Sequence, residues 1–126
     1  MSEKSELKKL IDNVVIRNDS ALTDIINKSY LSSIELAALI ISDAVDHFLE
    51  REEFANAYYL LGVDCVSKLE HPSIDYSRVV TLSFCDKHAD AVQLLKSSNE
   101  KYPMDESLNN LRDFFKTGLD VRYLFC

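Results

Sequence analysis

Residues 34–69 read IELAALIISDAVDHFLEREEFANAYYLLGVDCVSKL, and the fold turns on how that stretch is divided. As a helix, its first half sets Ile34, Ala37, Ala38, Ile41, Ala44, Val45, Phe48 and Leu49 along one broad face, which Leu36, Leu39 and Ile40 widen. Ser32 and Ser33 stand before it as candidate N-caps. The second half carries Phe54, Tyr58, Leu61, Cys65 and Leu69 at spacings of three and four. Between the halves lies Glu50-Arg51-Glu52-Glu53, with neither Gly nor Pro. A single rod through both halves would expose most of its apolar stripe in a chain this short. Two helices meeting in a tight turn is the expected arrangement.

The composition agrees with helices. Only two glycines and two prolines occur in 126 residues, which argues against a turn-rich β fold. The length suits one domain, residues 1–126, with a real core. A net charge of −7 disfavours nucleic-acid phosphates and anionic membrane surfaces as partners, and admits a basic protein partner. Cys65, Cys85 and Cys126 are an odd, dispersed set, which suggests reduced thiols in the cytoplasm. The start, MSEKSELKK, lacks the apolar segment of a signal peptide, and the longest apolar run, Leu36 to Ile41, falls far short of a membrane span.

Along the rest of the chain, Ser2 to Arg17 forms a first amphipathic helix through Leu7, Leu10, Ile11, Val14 and Val15. Asn18-Asp19-Ser20 breaks it and caps a short second helix that ends near Tyr30. Pro72 marks a boundary after Leu69. A fifth helix follows from Asp75, although the β-branched run leaves a strand open at Val79 to Leu82. A sixth runs from Ala89 to Lys101, before Pro103. A seventh, capped by Asp105 or Ser107, carries Leu108, Leu111, Phe114 and Phe115 and ends at Gly118 in a left-handed cap. The apolar tail Val121 to Cys126 is expected to pack back on the last helix or to anchor a partner.

Sliding the chain along itself until Phe48 meets Leu82 also pairs Phe54 with His88, Ala57 with Ala91, Leu61 with Leu95 and Leu69 with Pro103. The slide, about 34 residues, is the length of a tetratricopeptide repeat, and the paired positions resemble that repeat's signature over roughly residues 38–118. In that repeat a small alanine lets two antiparallel helices approach, and larger apolar residues flank the contact. The usual Leu-Gly pair is replaced here by Ala44-Val45 and by Arg78-Val79, and the outer units match only with shifts of one or two positions. The resemblance implies an all-α stack of about six or seven helices in antiparallel hairpins; an irregular helical bundle is the alternative. It further implies a concave wall built from one face of each first helix. The matching positions are Leu39, Ser42, Asp46 and Leu49, then Tyr76, Val80 and Phe84, then Asn110 and Phe114. Such a wall is apolar and aromatic with an acidic spot. It lacks the Lys and Asn residues with which some members of the family clamp a peptide carboxylate.

Candidate chemistry is sparse. Asp43, His47 and Glu50 share a helical face, but the paired Glu-x-x-His motif of carboxylate metal bundles is missing. Cys85 and His88 sit at helical spacing as a dyad or half of a zinc set, which Cys65 and His71 would have to complete. Gly62 and Gly118 build no phosphate loop. The expectation is therefore a non-enzymatic module, with no cofactor or metal, that holds a protein or peptide as adaptor, client-specific chaperone or regulator. A homodimer remains open. The alternative is an acidic inhibitor or immunity-type protein that blocks a basic nucleic-acid enzyme; an enzyme at Cys85/His88 or Asp43/His47 ranks third.

Overall fold

The computed structural model describes residues 3–118, and every element among them is a helix, with no strand. The helices are α1 (Glu3–Val15), α2 (Asp19–Ser32), α3 (Ile34–Glu50), α4 (Phe54–Gly62), α5 (Asp64–Ser67), α6 (Pro72–Phe84), α7 (His88–Lys101) and α8 (Glu106–Lys116). The division of the opening stretch falls where its charges predict, with α3 ending at Glu50 and α4 beginning at Phe54. The Val79–Leu82 run is helical. Pro72 occupies the first turn of α6, where its missing N–H costs nothing, and Val79 and Val80 are buried in the core.

Eight helices replace the expected seven because the fourth is split. Val63 adopts an extended conformation (φ −61°, ψ 134°), which ends α4 and starts the single turn of α5. The stripe expected to run unbroken from Phe54 to Leu69 therefore changes phase. Ala57, Leu60 and Leu61 are buried, whereas Tyr58 is 45% exposed.

Helix starts follow side-chain chemistry. Asn18 accepts from the Ala21 N–H (3.1 Å), Ser33 from Leu36 (3.0 Å) and Asp105 from Leu108 (3.0 Å), each satisfying an amide with no partner inside its helix. His71 caps α6 by accepting from the Ser73 N–H through Nδ1, so its Nε2 carries the proton and meets Glu35 at 2.9 Å.

Helix ends show a regularity that composition hides. Arg17, Glu52 and Asp86 all take the left-handed conformation, at φ 57°, 59° and 60°. Each closes the same pair of bonds. The residue after it donates back to the carbonyl five positions earlier (Asn18 to Asn13, Glu53 to Phe48, Lys87 to Leu82), and the left-handed residue donates to the carbonyl three positions earlier. Gly118, at φ 76°, donates to Phe115 in the same way after α8. The spacing from Arg17 to Glu52 and on to Asp86 is almost constant.

Packing follows a recurring scheme. α1 contacts α2 and α3; α3 contacts α4 and α6; α6 contacts α7 and α8. The core runs through all of them, from Leu10 and Val14 through Phe48, Leu60, Ile74 and Val79 to Leu108 and Leu111. Ala57 and Ala91 are fully buried. No helix among the described residues is long and apolar enough to cross a membrane. The tail Val121 to Cys126 lies outside the described residues.

Candidate functional site on α3, α6 and α8

α6 packs against both α3 and α8, and the three helices line two adjoining cavities that share Tyr76 and Ser107. The first, about 190 Å³, is lined by Ser42 and Asp46 of α3, by Ser73, Tyr76 and Ser77 of α6, and by Asp105 and Ser107 at the start of α8. The second, about 310 Å³, is lined by Tyr76, Ser107, Asn110, Leu111 and Phe114. Ser42 Oγ donates to the Ser73 carbonyl at 3.4 Å and ties α3 to α6 at the rim.

Of the residues expected on the wall, Asp46, Tyr76, Asn110 and Phe114 come together here, with Ser42. Leu49, Val80 and Phe84 are instead 3%, 1% and 7% exposed and belong to the core, and Phe84 stacks on Phe54 at 5.0 Å. Leu39 is exposed and lines neither cavity. The physical reason lies in the width of the buried faces. α3 and α6 each contact several helices, so apolar side chains on both flanks are taken into the interior. What α3 and α6 leave to line the first cavity is polar, apart from the ring of Tyr76. Ser73, Ser77, Asp105 and Ser107 are wall residues that sequence reasoning misses, because isolated serines and a capping aspartate carry no pattern of their own.

The electrostatics centre on Asp46. Partial burial, then the charges of Asp43 and Glu50 on the same helix, push its carboxyl up to about 6. Burial, and then the Asp46 carboxylate, raise the Tyr76 phenol above its ordinary value. The first cavity thus offers hydroxyls and an acid that titrates near neutrality, and the second offers the aromatic faces of Tyr76 and Phe114. Together they suit a segment that places a cationic or N–H-donating group beside Asp46 and an apolar side chain against Phe114.

The other candidates are placed differently. His47 packs edge-on against Phe48 at 5.4 Å, and its carbonyl accepts from Arg51. His88 lies against the Phe115 ring at 5.6 Å. Burial raises the Cys85 thiol, the reverse of what an activated nucleophile needs. Cys65 Sγ lies 4.0 Å from Thr23 Oγ1, while His71 is engaged with Glu35. No cluster of three metal-ligating side chains occurs among the described residues.

A polar network behind the cavities has no signature in the sequence either. Arg78 pairs with Asp75 at 2.8 Å and donates to the carbonyls of Val66 (2.8 Å) and Leu69 (3.2 Å), while Ser98 Oγ donates to Asp75 at 2.8 Å. It joins α5, α6 and α7 beneath the wall. Comparison of the chain with protein-family models, curated proteins and solved structures finds no match.

Proposed function

We propose that the chain is a non-enzymatic binding module of stacked, tetratricopeptide-like helical pairs that holds a peptide segment of a protein partner across α3, α6 and α8. The observation that carries this reading is that these three helices contribute side chains to adjoining cavities joined at Tyr76. The recurring left-handed links at Arg17, Glu52 and Asp86 support the division into units. The groove differs from the apolar wall that the resemblance implies: hydroxyls and carboxylates line one half, and aromatic rings the other. The segment it fits carries a basic residue followed by an apolar one. Such a partner is held by a charge-assisted hydrogen bond at Asp46 and by side-chain burial at Phe114.

The test is capture of partners from native lysate on the full chain, followed by mass spectrometry, with Phe114→Ser and Asp46→Lys in parallel. A partner retained by the wild type and lost from both variants supports the reading. A partner that all three chains retain equally places binding elsewhere. A stoichiometric metal ion on the purified protein, with no partner captured, would point to metal chemistry instead.

A further inference from the structure

A further cavity lies away from that groove, between α7 and α8, and has a counterpart one unit earlier. It measures about 470 Å³, and its apolar lining is Val92, Leu95 and Phe115. A smaller cleft of about 220 Å³ is lined by Tyr58, Leu61, Gly62, Arg78, Thr81 and Leu82, together with Leu94 of α7. Shifted by the repeat period, Tyr58, Leu61 and Gly62 become Val92, Leu95 and Lys96, while Arg78, Thr81 and Leu82 become Arg112, Phe115 and Lys116. All six land in the larger groove. The two are the same feature of successive units, with one difference. In the earlier one a following helix, α7, inserts Leu94; in the later one the described lining ends at Lys116.

The replacements also change the charge. Gly62 and Leu82 give way to Lys96 and Lys116, so the rim gathers three cations, Lys96, Arg112 and Lys116, on a protein of net charge −7. Glu100 is the one carboxylate in the lining, and Arg112 keeps Asp113 at 3.3 Å beside it. His88 covers one end against Phe115.

From these features we infer that the α7–α8 groove is a second docking surface, which receives an acidic amphipathic helix of a partner protein in the place that α7 takes on the preceding unit. An apolar side chain of that helix fills the position of Leu94, and carboxylates flanking it meet Lys96, Arg112 and Lys116. Charge argues against the chain's own residues 119–126, LDVRYLFC, as the occupant, because Asp120 and Arg122 cancel and leave the cationic rim unanswered.

The test uses the full chain and a fluorescein-labelled synthetic peptide of the α7 sequence, His88–Lys101, carrying Lys96→Glu, Ser97→Glu and Lys101→Glu. Fluorescence anisotropy should show binding in the micromolar range, at least about tenfold tighter than for the same peptide with its native residues. Arg112→Glu/Lys116→Glu in the full chain should abolish that preference while leaving the melting temperature within about 2 °C. Equal binding of the two peptides, no binding of either, or indifference to the charge reversal overturns the inference. So does a gain of more than about tenfold on Tyr123→Asp/Leu124→Asp, because the groove would then belong to the chain's own tail.

Discussion

α3 and α6 align with each other when the chain is slid along itself until Phe48 meets Leu82, yet they bury different chemistry. Ile41 and Ala44 of α3 are fully buried. Their counterparts in α6 are Asp75 and Arg78, a largely buried ion pair. α3 is therefore held by apolar contact, which is strong but indifferent to small rotations. α6 is held by bonds of fixed direction to Val66, Leu69 and Ser98. Those bonds fix the link between α5 and α6, where the split of the fourth helix would otherwise leave the chain free to choose. They also hold Tyr76, one residue from Asp75, at the meeting point of the two cavities. Apolar burial provides stability, and the polar pair selects a geometry.

The sharpest way to break that comparison is Asp75→Ala. It strands the Arg78 guanidinium and the Ser98 hydroxyl in the interior, and should cost about 3 kcal/mol in chemical denaturation. Arg78→Ala should cost a similar amount, but the double variant should lose clearly less than the sum of the two. Strict additivity would show that the pair is not coupled and that α6 is held like α3. Next in size is Ala57→Leu, which overpacks a fully buried contact between α4 and its neighbours and should cost about 1–3 kcal/mol. Ala91→Leu should match it in α7. A variant of either that melts like the wild type would sink the equivalence of the two positions.

Asp46→Asn probes the surface side of α3. The folded-state carboxyl, near 6, lies above its ordinary value of 3.8, so the folded protein holds the proton more tightly between those pH values. Stability from this group is therefore lost as pH rises from about 4 to 6, and Asp46→Asn should recover it. Discounted for solvent screening of a half-exposed group, the gain at pH 7 should be about 1 kcal/mol, vanishing near pH 3.5. Binding of a basic segment should run the opposite way and strengthen as pH rises through 6. The smallest effect is expected at the links. Glu52→Gly and Asp86→Gly relieve a left-handed conformation that disfavours a β-carbon, and each should add about 0.5 kcal/mol to the unfolding free energy.

Much of the fold is legible before any coordinates. The boundary at Glu50–Glu53, the caps Ser33 and Asp105, the helix stop at Gly118 and the burial of Ala57 and Ala91 follow from periodicity and capping chemistry, which act within a few residues. Asp46, Tyr76, Asn110 and Phe114, which the sequence reading sets on one wall, do line the two cavities. The remainder depends on neighbours distant in the chain. Nothing local distinguishes Val80 or Phe84 from a surface residue until the helices around α6 close over them.

The sequence alone thus determined that the described chain is helical and where most of its helices begin and end, because those properties rest on short-range geometry. Tertiary structure decided the split at Val63, the left-handed links without glycine, the placing of the Asp75–Arg78 pair, and which residues of α3, α6 and α8 line the cavities. These depend on which surfaces meet and on how much water the meeting excludes, quantities that no window of sequence contains.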